Sequence, residues 1–87
     1  MKREALKFGE LREYFDVVSR VSICMKETLN YRNYNFMSEV PHDYDDMYVY
    51  GFGMIDSEFT DIVSGEEEYM PCVEFMLSDK PREKADA

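Results

Sequence analysis

The residues of this sequence best suited to nucleophilic chemistry are its single histidine and its two cysteines. A Cys thiolate beside a His imidazole can act as a nucleophile with its base. His42, however, follows Pro41 in a polar turn, whereas Cys24 and Cys72 each lie in an apolar stretch. Because free cysteines are among the most frequently buried residues, we expect two buried thiols and a solvated histidine. A single histidine also excludes a multi-histidine metal site.

The acidic residues raise the question of a calcium site. An EF-hand loop requires Gly at its sixth position and Glu at its twelfth. Counted from Asp56, the twelfth residue is Glu67 but the sixth is Asp61, and counted from Asp43 the twelfth is Met54. Acidic pairs for acid–base hydrolysis occur by chance in any chain with 19 Asp and Glu residues, so they identify no enzyme. We therefore expect no catalytic residue, no metal and no cofactor, although loose divalent binding remains an alternative.

Two glycines could serve a phosphate or a ligand. A phosphate-binding loop needs G-x-G-x-x-G between a strand and a helix, and Gly51 and Gly53 supply only G-F-G. Both glycines fall on the same side as Val49 in a strand-like stretch. Small residues there predict a bulge or the close approach of another element, such as a helix.

The elements that must position these groups follow from hydrophobic spacing. Residues 8–18 carry apolar side chains three and four positions apart, which predicts a helix. Residues 21–25 alternate between apolar and polar, which predicts a strand. An Asn-rich turn should return the chain as a second strand over residues 34–40. The strongest strand pattern covers residues 47–55.

The remaining elements complete a small α+β domain. A short second helix is expected near residues 57–63, and a final strand over residues 69–77. Pro71 near the start of that strand favours an edge position. We expect one acidic domain over residues 1–78, with an N-terminal helix packed on a three- or four-stranded, mostly antiparallel sheet. Residues 79–87 are charged and predict a disordered C-terminal tail.

The sequence also bears on compartment. Its first residues, MKREALKFGEL, are too polar for a secretory signal, and no apolar run approaches the roughly 18 residues of a membrane span. Cys24 and Cys72 form no C-x-x-C pair. We expect reduced thiols in a cytoplasmic protein, with a disulfide as the less favoured alternative.

Charge is the most informative property of the chain. Its net charge is -9, and residues 35–79 contain twelve Asp or Glu side chains but no Lys or Arg. Residues 1–34 contain seven basic and five acidic side chains. Direct nucleic-acid binding is disfavoured because it needs clustered basic residues. A folded acidic segment instead creates a potential that steers basic partners.

The sequence therefore predicts a non-enzymatic protein whose acidic, tyrosine-rich face engages a basic protein surface, since tyrosine is enriched at interface centres. The predicted binding residues are Glu39, Asp43, Tyr44, Asp45, Asp46, Tyr48, Tyr50, Asp56, Glu58, Asp61, Glu66, Glu67 and Glu68. A nucleic-acid-mimic inhibitor is the sharpest form of this hypothesis. In size, charge and lack of cofactor motifs, the chain is similar in general character to small DNA-mimic inhibitors such as anti-CRISPR proteins, although no motif supports a family.

Other functions remain open from sequence alone. The acids could form an ordinary solvated surface, with the tyrosines partly in the core. The chain could be a structural or self-assembling domain that pairs through an edge strand. It could also be a regulatory domain that binds a small ligand between helix and sheet, beside Gly51 and Gly53. The absence of Lys and Arg over so long a stretch favours partner binding, because ordinary surfaces mix both signs.

Overall fold

The computed structural model describes residues 6–80. The expected disordered tail therefore lies outside the described residues from residue 81 onward. The elements in chain order are the helix α1, Phe8–Arg12, the strands β1, Val21–Met25, and β2, Tyr31–Tyr34, two 3-10 turns, Met37–Glu39 and His42–Tyr44, and the strands β3, Tyr48–Thr60, and β4, Glu67–Ser78. Within residues 6–80, no helix has the length and hydropathy needed to cross a bilayer.

The four strands form one mixed sheet in the order β2-β1-β4-β3. β1 pairs with β2 and β3 pairs with β4 in antiparallel fashion, whereas β1 and β4 are parallel. The small α+β class is thus as expected. β4 is a central strand, contrary to the edge position that Pro71 suggested. Pairing with β1 begins only at Val73, however, so at Pro71 the strand has β3 as its one neighbour.

The helix is shorter than the spacing of residues 8–18 predicts. α1 ends at Arg12, and Tyr14 and Val18, which were expected on the buried stripe, are exposed. The predicted helix places Arg12 outside its buried stripe, but the Arg12 side chain is buried and donates a hydrogen bond to the Met37 carbonyl. Gly9 is needed for this packing, because a Cβ there would lie 2.8 Å from the Cβ of Asp45.

The return strand also differs from its prediction. β2 covers Tyr31–Tyr34, and the following residues form a 3-10 turn instead of a strand over 34–40. The tight turn before β2 is closed by a hydrogen bond from the Leu29 amide to the Met25 carbonyl, with Leu29 at φ 59°. A leucine in the left-handed region is not a residue that turn preferences would select.

The short helix expected near residues 57–63 is absent, and its first half belongs to β3. Phe59 is buried by strand alternation rather than by a helical face. The Asp61 carboxylate accepts hydrogen bonds from the amides of Val63 and Ser64, at 2.7 and 3.3 Å. Such a side-chain cap closes a turn as readily as it starts a helix. The sequence near residues 57–63 is therefore compatible with either structure.

A bulge in β3 decides which side chains share a face. Val49 lies opposite Leu77 but Gly51 lies opposite Met76, so Tyr50 is the extra residue. The expected bulge is confirmed. The bulge also reverses the alternation, so Gly51 and Gly53 lie on the face opposite Val49, where nothing lies within 4 Å of the position of an added Cβ. The expected close approach at these glycines is therefore wrong.

The main core covers one side of the sheet, which we call the front face and which carries Ile23 and Phe75. Helix α1 and the 3-10 turns lie over it. Its buried residues are Phe8, Val21, Ile23, Met37, Val40, Val49, Val73, Phe75 and Leu77. The Phe75 ring contacts those of Phe8, Phe15 and Phe52, with centroid distances of 5.1, 5.2 and 5.9 Å. Phe75 is the centre of this cluster.

The distal half of the β3–β4 hairpin reaches beyond this core and closes the opposite, back face. The molecule is 49 Å long and 22 by 20 Å across. From β2, the Asn33 side-chain amide donates hydrogen bonds to the Ser57 hydroxyl and the Glu58 carbonyl, both at 2.8 Å. This link holds the hairpin against β2, so that Phe59 and Cys72 are buried on the back face. None of residues 6–80 covers the front side of the distal hairpin in this way.

Candidate binding face

One of the predicted binding residues is a structural ion-pair partner. The Arg12 guanidinium donates to the Met37 and Val40 carbonyls, each at 2.9 Å, and to the Asp45 carboxylate at 2.7 Å. The second carboxylate oxygen of Asp45 lies 2.8 Å from Nδ1 of His42, and its backbone carbonyl accepts from the Gly9 amide. Asp45 therefore links the 3-10 turns to α1, and both of its carboxylate oxygens already have partners within the chain.

This network lowers the pKa of Asp45. Burial by itself would raise that pKa, but the hydrogen bonds from His42 and Arg12, with the positive charge of Arg12, outweigh it. A carboxyl with a lowered folded pKa contributes stability above its unfolded pKa, about 3.8, and loses it as the pH falls through the folded pKa.

The free energy of unfolding is thus expected to fall as the pH drops from about 5 to about 3, and Asp45→Asn should make that fall shallower. Urea denaturation at several pH values measures the slope. Asp46→Asn, at the exposed neighbouring position, is the matched control. The same slope in both variants would contradict this role of Asp45.

The residues considered for nucleophilic catalysis do not form a pair. His42 is exposed beside Asp45 on the front-face side, whereas Cys24 and Cys72 are buried, free thiols on the back face. Their positions in the β1–β4 register lie about four residues, or roughly 13 Å, apart, which is too far for a disulfide. Burial, with the negative charge of Glu74, raises the pKa of both thiols, which disfavours the reactive thiolate.

The other predicted acids form two separate groups. Glu39, Asp43 and Asp46 are exposed on the 3-10 turns before β3, and we call them the loop acids. The second group lies along the distal hairpin and its turn: Asp56, Glu58, Asp61, Glu66, Glu67 and Glu68. Because β3 is 13 residues long and rises about 3.3 Å per residue, up to about 40 Å of strand separates its two ends. The two groups lie on different segments, and within residues 6–80 Glu39 alone is linked to the second group, through Phe36, which lines a cavity together with Asp61.

The distal hairpin carries a continuous exposed surface, which we call the hairpin face. Strand register places its side chains on one side, continuous with the front face but not covered by α1 or the turns. Every one of its members is exposed: Phe52, Met54, Asp56, Glu58 and Thr60 on β3, with Glu67, Tyr69 and Pro71 on β4. Met54 and Tyr69 expose 72% and 76% of their surface. The hairpin face is therefore both apolar and acidic.

Two carboxylates of the hairpin face lie close enough to repel each other. A side-chain hydrogen bond with Glu67 and the negative charge of Glu67 raise the pKa of Glu58. A cation placed between them would relieve this repulsion, because it interacts favourably with both carboxylates. The two carboxylates thus concentrate negative charge at one point of the hairpin face.

The predicted tyrosines contribute less to an exposed face than expected. Tyr44 packs against the front-face core. The ammonium groups of Lys7 and Lys26 lie 5.8 and 4.9 Å from the ring centroids of Tyr48 and Tyr50. Phe52 and Met54 were not among the predicted binding residues. The bulge places both on the front face, beyond the part that α1 and the turns cover, and they are exposed.

Other possible sites lie elsewhere. A cavity of about 270 Å³ lies between the hairpin turn and the segments that flank β1 and β2, with Phe36, Ile62 and Met70 among its walls. Gly51 and Gly53 do not line it. Residues 6–80 contain no group of three or more His, Cys, Asp or Glu side chains that could hold a metal ion.

No protein family, curated protein or solved structure matches this chain. The functional inference therefore rests on geometry and charge.

Proposed function

We propose that this chain is a non-enzymatic binding protein whose hairpin face engages a basic surface of another protein. The observation that carries the proposal is the composition of this face: exposed Phe52, Met54 and Tyr69 lie directly beside the carboxylates of Asp56, Glu58 and Glu67. Apolar and aromatic side chains supply the buried centre of an interface, and fixed charges supply its specificity.

Charge decides the kind of partner. The hairpin lies within the 45-residue segment that has twelve acidic side chains and no Lys or Arg. An acidic partner would be repelled, and a neutral one would leave the carboxylates desolvated without counter-charges. A partner rich in Arg or Lys satisfies Glu58 and Glu67 at the point where they repel each other.

Neutralising the hairpin face should weaken binding to a basic probe by about tenfold, the sum of a few exposed ion pairs of about 0.5 kcal/mol each. The variant is the triple change Asp56→Asn, Glu58→Gln and Glu67→Gln. The probe is a fluorescein-labelled, Arg-rich peptide of about 15 residues, of the kind that binds nucleic acids. Fluorescence anisotropy gives the dissociation constant at about 50 and 500 mM NaCl, and higher salt should weaken binding.

The loop acids provide a matched control. The triple change Glu39→Gln, Asp43→Asn and Asp46→Asn removes the same charge from equally exposed positions outside the hairpin face. It should change the affinity less than threefold, because ordinary screening confines the effect of exposed charges to about 8–10 Å. Equal weakening by both triples would mean that net charge alone attracts the peptide, and the proposed face would be rejected.

The sharper form of the proposal is nucleic-acid mimicry. Carboxylates on one face of a strand repeat every 6.6–6.8 Å or so, about twice the axial spacing of phosphates on one DNA strand. Such a surface competes with nucleic acid for the same basic groove. Adding the protein to a complex of the Arg-rich peptide with duplex DNA should release the DNA, and the hairpin triple should release less. Failure of the wild-type protein to release DNA would leave binding intact and reject mimicry.

A further inference from the structure

We propose that the outer edge of β3 is a docking site for an extended, basic segment of a partner protein, which adds to the sheet as a fifth strand beside β3. This inference rests on the proposed function and specifies how the partner binds. β3 is an edge strand, and β4 is the one strand of residues 6–80 that pairs with it. An unpaired strand edge is a template for another strand.

Both ends of this edge are already occupied, which defines the open part. At its start, the Val49 amide donates to the Leu6 carbonyl at 2.8 Å, in an antiparallel bridge that includes Lys7 and Tyr48. Toward its end, the Glu58 carbonyl accepts from Asn33. From Phe52 to Asp56, the main chain makes no backbone hydrogen bond on its outer side to any of residues 6–80.

Strand alternation identifies the unpaired groups. In an antiparallel pair, alternate residues direct both their amide and their carbonyl toward the neighbouring strand. The Asp61 amide donates to the Glu66 carbonyl, so Asp61 directs its main-chain groups toward β4. By alternation, the odd-numbered residues from 51 to 61 do the same. The carbonyl of Glu58, an even-numbered residue, instead points away from β4 and accepts a hydrogen bond from Asn33. The amides and carbonyls of Phe52, Met54 and Asp56 therefore point outward.

The side chains along the edge favour a basic partner over a second copy of this chain. Charged side chains, Pro and bulges protect natural edges from pairing, and in β3 this protection comes from Asp56, Glu58 and the bulge, all of which leave the edge open to a strand of opposite charge. The charged side chains of β3 itself are those of Asp56 and Glu58, and each copy carries a net charge of -9. Two copies would repel each other across this edge, and a strand with Lys or Arg beside Asp56 would be attracted.

The flanking residues also define the shape of the incoming strand. On the hairpin face it would lie beside Phe52 and Met54, which favours apolar side chains at those two positions. On the back face it would lie beside Gly51 and Gly53, where the space is open. A bulky aromatic residue opposite a strand glycine fills such space favourably. The expected partner segment alternates apolar, aromatic and basic residues.

Two synthetic peptides of about seven residues match this pattern, VYVTKTK for parallel addition and its reverse, KTKTVYV, for antiparallel addition. In the full-length protein, the amides of Phe52, Met54 and Asp56 should exchange rapidly with deuterium. Saturation with whichever peptide binds should slow that exchange at least tenfold, with little change at the β4-bonded amides of Gly53 and Ile55.

Peptides N-methylated at alternate residues separate strand addition from docking by side chains. Methylation in one phase removes the donors that face β3, and methylation in the other phase removes only outward donors, so the second peptide is the matched control. One phase should bind at least tenfold more weakly than the other. Equal binding of both phases would reject strand addition and leave the proposed function standing. No binding of either unmodified peptide would reject the strand site, while the Arg-rich peptide still tests the hairpin face separately.

The other occupants of this edge give different exchange patterns. Protection of the Phe52, Met54 and Asp56 amides in the free monomer would assign the edge to residues 1–5 of the same chain. Protection that increases with protein concentration, with a matching increase in mass by light scattering, would assign it to a second copy. Either result would overturn the proposal.

Discussion

Replacing Phe75 by alanine is expected to lower the free energy of unfolding by about 4 kcal/mol. Phe75 is fully buried, and its ring lies within 6 Å of those of Phe8, Phe15 and Phe52, measured between centroids. Truncation would leave a cavity where α1, the segment after it and β3 all contact one side chain of β4. Urea denaturation monitored by circular dichroism measures the loss.

Two further variants keep this prediction measurable. Phe75→Leu should cost about 1.5 kcal/mol and should fold even if the alanine variant does not. Phe52→Ala, in the same aromatic cluster but 56% exposed, should cost less than about 1 kcal/mol. Because Phe52 belongs to the hairpin face, its replacement should weaken peptide binding instead. A larger stability loss at Phe52 than at Phe75 would contradict the described core.

Replacing Arg12 by methionine is expected to cost about 3 kcal/mol. Methionine retains much of the apolar stem but leaves the carbonyls of Met37 and Val40 without donors. It also removes the guanidinium group that pairs with the Asp45 carboxylate. The guanidinium is 9% exposed, so water cannot fully replace these contacts. Thermal and urea denaturation at neutral pH measure the effect.

Arg20→Met is the matched control for this change, because Arg20 is exposed and makes no side-chain ion pair within residues 6–80. It should alter stability by less than about 0.5 kcal/mol. A loss below about 1 kcal/mol for Arg12→Met would show that the desolvation of the guanidinium offsets its three hydrogen bonds. In that case, apolar packing would hold the 3-10 turns to α1.

Part of the fold was predictable from sequence because its signals are local. The alternation of apolar and polar residues over 21–25 predicted β1 with its observed bounds. The pattern is clear because one face of this strand packs against the core. The glycine pair indicated the bulge in β3. The second helix was mispredicted because Phe59 and Ile62 have helical spacing, while the choice of strand depends on Asn33 and the back face, which are distant in sequence.

The candidate site was less predictable than the fold. Composition indicated an acidic segment. The division of its acids into loop acids and hairpin face depends on the length of β3, which has 13 residues, whereas the sequence pattern predicted a strand that ends at residue 55. The structural role of Asp45 depends on Arg12, which is 33 residues away. No local pattern distinguishes a carboxylate that holds the fold from one that is free to bind a partner.

The parallel pairing of β1 with β4 has a kinetic consequence. It places Val21 opposite Val73, so a loop of about 50 residues must close before the central pair forms, whereas the β3–β4 hairpin closes locally. Loop-closure entropy therefore favours early formation of the hairpin and late completion of the sheet. In the interval, a long unpaired strand and its apolar side chains are open to other partly folded chains. The net charge of -9 makes such chains repel one another, which opposes their aggregation before folding is complete.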